Sequence, residues 1–278
     1  MDFVTSMNLR VRATSFEGLV LCSSHVYEHG DYHVCDPITG IQLHLPKPSH
    51  RLHDDVHLGL ICDPPTSSYI VVCLFSPTKE KGEQTNTIEV ETYFSMTDKW
   101  RTSTHHSTSP IGFICSDDFG VVLNEALHWI DTSGHVLSYN PTEDSIGLVK
   151  LPVAPFRPGY EFLTHSLGVS EESSLFYSTY DYEELAISVW NLEDYSTSTW
   201  SLKYKIRETV QIWQCPWNFF TKKQRILIHL IDRGMINYDL ENEVSCIMDF
   251  RQPIFRGVNY FPFTPSKWPT LVPPSSSQ

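Results

Sequence analysis

One short pattern recurs along this chain and limits the folds that it can adopt. A strand-like apolar run that ends in a small polar residue and a tight turn occurs five times, as VCDPITG (34–40), YFSMTD (93–98), SYNPTED (138–144), VWNLEDYS (189–196) and NYDLENE (237–243). When the copies are aligned on Asp36, Ser95, Asn140, Asn191 and Asp239, they are 59, 45, 51 and 48 residues apart. A period of about 50 residues with four strands per unit is typical of the blades of a β-propeller.

The segments between these turns also favour strands. Runs rich in β-branched and aromatic residues are bounded by Gly, Pro, Asn, Asp or Ser, as in YIVVCLF (69–75), ALHWI (126–130) and RILIHLI (225–231). The first unit is predicted to contain the strands Leu9–Thr14, Leu19–Ser24, Tyr32–Asp36 and Ile41–Leu45. The sequence therefore predicts an all-β propeller of four-stranded antiparallel blades with five clear repeats. Because Pro253–Phe263 could add strands, we expect six blades with the last incomplete, and five blades are the alternative.

Composition excludes several classes of protein. The net charge of −13 argues against a nucleic-acid groove, because recognition of the phosphate backbone begins with an excess of Lys and Arg. No apolar run approaches the roughly 18–20 residues of a membrane span, so we expect no membrane partner. The seven cysteines are scattered and form no C-x-x-C pair, which favours buried thiols in a reducing compartment, the cytoplasm or the nucleus.

The blade arrangement predicts which connections share an end. Strand directions alternate, so the loops between second and third strands and the links between blades lie at one end, where the long polar connections Pro46–Val56, Pro77–Thr87, Thr102–Pro110 and Pro152–Tyr160 fall. On that end we predict a partner-binding surface that includes Arg51, His53, His106, Phe156 and Arg157. At the other end, Cys215–Lys223 is predicted to be an aromatic loop, in which Trp217, Phe219 and Phe220 either form an exposed anchor patch or plug the ring.

No residues are predicted to be catalytic, to hold a cofactor or to bind a metal. His44, His50, His53 and His57 crowd one segment with Asp54 and Asp55, but without Cys partners or an H-E-x-x-H helix their spacing indicates a solvated loop. The chain has neither a G-x-S-x-G elbow nor a phosphate-binding G-x-x-x-x-G-K-[ST] loop. Its adjacent acidic pairs, such as Asp117-Asp118, would point to opposite faces of a strand. We therefore expect a binding module rather than an enzyme.

Several motifs resemble those of the plant F-box-associated domain. GLVLCSS…YHVCDPITGIQLHLP (18–46) is similar to the opening of that domain, and VVLNEALHWID (121–131) is similar to one of its hairpins. SVWNLEDYSTSTWSLKYKI (188–206) and PSKWPTLVPP (265–274) are similar to a later blade and to the closing segment. The resemblance covers roughly residues 8–274. Two residues depart from the pattern: Asp36 stands where the family has Asn, and Glu125 stands at a turn position where it has Gly.

The resemblance implies a function. The domain would be the substrate-recruiting half of an SCF-type ubiquitin ligase subunit, whose other half is an F-box that docks on a Skp-type adaptor. The first predicted strand begins near Leu9, so we expect a propeller domain over residues 1–264, a Pro/Ser-rich tail over 265–278, and no F-box in this sequence. The expected partner is a protein that is not identified, and a Skp-type adaptor would bind only if an F-box is supplied elsewhere. The alternatives are a carbohydrate-binding or carbohydrate-active propeller, and a shortened family member with no ligase function.

Overall fold

The computed structural model describes residues 10–15, 17–23, 31–48, 56–75, 84–112, 120–153, 165–169, 173–181, 183–207, 216–221, 225–230, 234–239, 242 and 244–248. These residues form 20 β-strands and one short 3₁₀ turn, Pro64–Thr66. Within these ranges no helix has the length and apolar character needed to cross a bilayer.

The strands form five four-stranded sheets, each in sequential order. The first sheet consists of β1 (Arg10–Thr14), β2 (Val20–Ser23), β3 (Tyr32–Cys35) and β4 (Gln42–His44). The second consists of β5 (Val56–Asp63), β6 (Ser68–Phe75), β7 (Thr85–Phe94) and β8 (Lys99–Ile111). The third consists of β9 (Val121–Leu123), β10 (Ala126–Ile130), β11 (His135–Asn140) and β12 (Ser145–Lys150).

The last two sheets repeat the same order. The fourth sheet consists of β13 (His165–Val169), β14 (Leu175–Asp181), β15 (Ala186–Asp194) and β16 (Thr199–Arg207), and the fifth of β17 (Pro216–Thr221), β18 (Arg225–Leu230), β19 (Gly234–Asp239) and β20 (Val244–Met248). Neighbouring strands pair antiparallel, as the register of β14 against β15 illustrates. Four-stranded meanders were predicted, and the predicted strands of the first sheet match within two residues. The proposed sixth blade, Pro253–Phe263, lies outside the described residues.

The inner strands β2 and β6 are apolar because both of their faces are covered. All four residues of β2 are buried, and the last five of β6 are buried as well. One apolar cluster combines residues of the first and second sheets, including Leu21, Val34, Leu60, Val71 and Tyr93, each at most 1% exposed. By contrast, β8 alternates between exposed and half-buried side chains over most of its length, as expected for a strand at the edge of a sheet.

The chain divides into two compact units, which are described separately. One unit contains the first and second sheets, and the other contains the fourth and fifth. Residues of the third sheet are divided between the units: 120–127 and 139–146 belong to the first, and 128–138 and 147–153 to the second.

The turns between third and fourth strands define the repeat more accurately than the sequence does. Each of the first four sheets has a left-handed residue in this turn: Gly40, Asp98, Asp144 and Ser198, with φ of 73°, 53°, 53° and 52°. The residues four positions earlier are Asp36, Phe94, Asn140 and Asp194. The alignment on Ser95 and Asn191 was therefore wrong, by one and three residues.

Two local features caused that misalignment. In the second sheet the residue at this position is Phe94; its carbonyl accepts a hydrogen bond from the amide of Asp98 at 2.9 Å, but its side chain is apolar, so no polar side chain marks the position. In the fourth sheet β15 extends to Asp194 through a register shift, which displaces the turn. Where this residue is Asp or Asn, its Oδ1 accepts a hydrogen bond from the amide two residues later. The Ile38 amide donates to Asp36 at 2.8 Å, and the Thr142 amide donates to Asn140 at 2.9 Å.

Candidate interaction surface

Four of the eight residues predicted to bind a partner lie outside the described part of the chain. This applies to Arg51, His53, Phe156 and Arg157, so their role stays a prediction.

His106 is described, and it lies in a strand rather than in the predicted loop. Thr102–Pro110 was expected to be a long polar connection, but these residues form most of β8. An edge strand needs only one partly covered face, so alternating Ser, Thr and His residues are sufficient to form it. His106 is exposed, pairs with Thr87 near the start of β7, and has Nδ1 3.1 Å from the Thr87 Oγ1. It is therefore at the end of the second sheet where the connection from β6 enters β7.

Trp217, Phe219 and Phe220 also belong to a strand. The segment Cys215–Lys223 was predicted to be an aromatic loop, but Pro216–Thr221 forms β17, in which Trp217 pairs with Leu227 of β18. The register shifts between Trp217 and Thr221. Aromatic residues have a high preference for strands, and that preference outweighs the loop interpretation here. Whether these three residues bind a partner stays a prediction.

Exposed apolar residues occur in the turns between the third and fourth strands of the first two sheets, at the end opposite to that of His106. Ile38 and Met96 are 63% and 78% exposed, and each lies two residues before the left-handed residue of its turn. These two side chains were not among the residues predicted to bind a partner. The signal was available, because an apolar side chain in the middle of a tight turn has little to pack against.

A charged cluster is centred on Asp144, in the turn after β11. Asp144 Oδ1 accepts a 2.9 Å hydrogen bond from the Tyr139 hydroxyl and lies 3.2 Å from His105 Nε2 and 3.5 Å from an Arg101 nitrogen. Arg101 also donates at 2.6 Å to the Pro141 carbonyl. Burial acts to raise the pKa of Asp144, but the hydrogen bonds from Tyr139 and Ser103 and the charge of Arg101 together lower it below its ordinary value. Since its charges are paired with one another, this cluster holds β8 against the turn between β11 and β12.

A second polar cluster contains two histidines and one carboxylate. His44 Nε2 lies 2.9 Å from Asp31 Oδ1, and His33 Nε2 lies 3.6 Å from the same oxygen. Among the residues that the structure describes, this is the one group whose donors are close enough together to hold a metal ion. By its position in the sequence, His44 was grouped with His50, His53 and His57 instead. His50 and His53 are outside the described residues, and a cross-strand pair such as His33 and His44 has no characteristic spacing in sequence.

The prediction that His57 lies in a solvated loop was wrong. His57 is in β5 and is 3% exposed. Burial, reinforced by the positive charge of Arg12, lowers the pKa of His57 to about 3. A neutral imidazole is polar but small enough to occupy a core position in a strand, which a search for clustered histidines does not anticipate.

Comparison with known proteins gives two matches. The family model described as F-box associated beta propeller domain matches residues 8–274. An Arabidopsis thaliana protein, F-box protein At5g49610, is 28% identical over 225 residues, which cover 73% of this chain and 57% of that protein. The chain thus spans a little over half the length of the curated relative that it matches. The predicted all-β propeller of four-stranded blades and the resemblance noted in the sequence are both confirmed.

Proposed function

This chain belongs to the family of F-box associated beta propeller domains, and we propose that it is the substrate-binding part of an SCF-type ubiquitin ligase subunit. The observation that carries the proposal is the family match over residues 8–274. The domain is a protein-interaction module, and we propose that it binds its ligand without chemical conversion.

We assign the ligand to the long-loop surface, which consists of Arg51, His53, Phe156 and Arg157 with their connections, together with His106 on β8. Within the described residues, His106 supports this assignment: it is exposed and is next to the end where the β6–β7 connection enters the second sheet. Two arginines on a chain with a net charge of −13 would favour an acidic segment of the partner, and Phe156 would supply an apolar anchor.

The experiment compares two variants of the intact chain. The triple variant Arg51→Ala, Phe156→Ala, Arg157→Ala alters the long-loop surface, and the double variant Ile38→Ser, Met96→Ser alters exposed turns at the other end of the first two sheets. Proteins recovered from plant cells by quantitative affinity purification are then tested for direct binding with purified components. We expect direct binding to fall at least roughly tenfold in the triple variant and to persist in the double variant. The opposite pattern would transfer the binding site to the turns.

A carbohydrate ligand is the alternative that the same protein can test. Unmodified chain applied to a glycan array should show no binding above that of an unrelated propeller. If the unmodified chain binds a glycan saturably and the triple variant does not, the ligand of this surface is a sugar and not a protein.

Assembly into a ligase is proposed for the F-box protein as a whole. We propose that a Skp-type adaptor is recruited by an F-box, supplied either in the same polypeptide or by another chain, and that the protein acts in the cytoplasm or nucleus. Reconstitution with an F-box-containing polypeptide should bring adaptor and propeller into one complex. Adaptor binding by residues 1–278 alone would contradict this division of roles.

A further inference from the structure

Asp31, His33 and His44 form a compact set of metal-type ligands at one edge of the first sheet. Asp31 immediately precedes β3, His33 is its second residue, and His44 is the last residue of β4. The possible ligand atoms of the three side chains all lie within 4.8 Å of one another. Two imidazoles and a carboxylate are ligands that Zn²⁺ and neighbouring divalent transition metals accept.

The distances suit a tetrahedral ion. Zn–N and Zn–O bonds of about 2.0–2.2 Å place neighbouring tetrahedral ligands roughly 3.3–3.5 Å apart. The two observed separations from Asp31 Oδ1, 2.9 Å to His44 and 3.6 Å to His33, lie on either side of that range. Rotation of the two more exposed side chains, Asp31 and His44, adjusts both separations toward that range.

The backbone holds two of the three ligands in place. His33 and His44 are direct partners in the antiparallel register of β3 and β4, so their side chains emerge on the same face, and their ring centroids are 4.9 Å apart. His33 Nδ1 has no hydrogen-bond partner in the described part of the chain, so no bond at that atom opposes an adjustment of the ring toward an ion. Because this preorganisation is set by the strands, little ordering is needed when an ion binds.

The cluster is also open to solution on one side. His44 is 52% exposed and Asp31 is 34% exposed, whereas His33 at 17% forms the inner wall. An ion can therefore enter directly, and a fourth coordination position would face water.

We propose that Asp31, His33 and His44 bind a divalent transition-metal ion, with Zn²⁺ as the best fit, and that water completes the coordination. Bound metal would tie the three-residue edge strand β4 to β3. This site does not depend on the proposed ligand surface.

The test is titration of the intact, chelator-dialysed chain with Zn²⁺ by calorimetry, together with thermal unfolding in Zn²⁺ and in chelator. We expect one ion to bind, the Tm to rise with Zn²⁺ concentration, and His44→Ala to weaken binding by at least roughly tenfold. Asp31→Asn, which keeps the shape and removes the charge, should also weaken binding. Circular dichroism and melting in chelator check that each variant is folded.

The matched control is the double variant His50→Ala, His53→Ala, which removes the pair that the sequence itself suggests. Unchanged affinity in this variant, together with the loss in His44→Ala, supports the site. If His44→Ala and Asp31→Asn bind Zn²⁺ as tightly as the unmodified chain, or if only the His50, His53 variant loses affinity, the proposal is overturned.

Discussion

The indole Nε1 of Trp100 donates a 2.7 Å hydrogen bond to the main-chain carbonyl of Pro46, 54 residues earlier and just after β4. Trp200 makes the same bond to Lys150 at 2.8 Å, across 50 residues. Both tryptophans lie two residues after the left-handed residue of their turn. Lys150 is the last residue of β12, and Pro46 is two residues beyond the end of β4. One repeated side chain thus links consecutive sheets in two places.

We predict that Trp100→Phe lowers the free energy of unfolding by about 0.5–1.5 kcal/mol, because it removes this hydrogen bond and keeps an aromatic ring against Tyr32 and Tyr93. Trp200→Phe should cost a similar amount. Urea denaturation of each variant measures the effect.

The matched control for these variants is Trp190→Phe. The Trp190 Nε1 is buried without a hydrogen-bond partner among the described residues, so Phe at this position breaks no such bond. If Trp190→Phe lowers the free energy of unfolding as much as Trp100→Phe does, the smaller ring and not the lost hydrogen bond is the cause.

Gly59 permits a close approach between the second and third sheets. A Cβ at this position would lie 2.9 Å from Cγ of Leu127, and closer still to its δ carbons. We expect Gly59→Ala to cost about 1–3 kcal/mol of stability, since the buried Leu127 side chain has to move.

A double-mutant cycle tests that explanation. Leu127→Ala should be destabilising alone, but the double variant should be more stable than the sum of the two losses predicts, by about 0.5–3 kcal/mol. Strict additivity in denaturant unfolding would show that steric conflict with Leu127 is not the cause.

Glu125 occupies a backbone conformation that favours glycine. It and Asn124 form the two-residue turn between β9 and β10, with φ of 62° and 50°. Such turns prefer Asn-Gly, and a left-handed residue other than Gly costs about 1–2 kcal/mol. After the entropic cost of glycine is subtracted, we predict that Glu125→Gly stabilises the protein by about 0.5–1 kcal/mol.

The control for this substitution is Glu143→Gly. Glu143 is also an exposed turn residue, but its φ is not positive. It should therefore gain nothing and lose up to about 1 kcal/mol. Stabilisation of both variants in thermal unfolding would point to a loss of negative charge instead of relief of backbone strain.

His57 should make the protein sensitive to acid. Its pKa is about 3 in the folded state and about 6.5 in an unfolded chain, so between these values only the unfolded chain takes up the proton. The contribution of His57 to the free energy of unfolding is fully present above about pH 6.5. It decreases as the pH falls toward about 3, by up to about 1.4 kcal/mol per pH unit. We expect His57→Leu to reduce the slope of unfolding free energy against pH between 6 and 4.

Leu74 pairs with His57 across β5 and β6 and provides the control. Leu74→Val should lower stability at every pH without changing the slope. An unchanged slope in His57→Leu would mean that other groups dominate acid unfolding.

The sequence alone determined the class of fold and most strands, because short β-branched and aromatic runs between turn residues reflect local backbone preferences. The family resemblance also marked Glu125 as a residue that stands where a turn glycine is expected. The turn positions Phe94 and Asp194 could not be aligned from sequence, because a β-bulge and a main-chain acceptor leave no consistent residue type.

Only the tertiary structure decided which side chains meet. The pairing of His33 with His44 depends on strand register, and the burial of His57 depends on which face of β5 is covered. The Trp100–Pro46 bond and the fit of Leu127 against Gly59 depend on how one sheet packs on the next. Local propensity sets the conformation of each strand, but contacts between residues distant in sequence follow from register and packing, which no local pattern encodes.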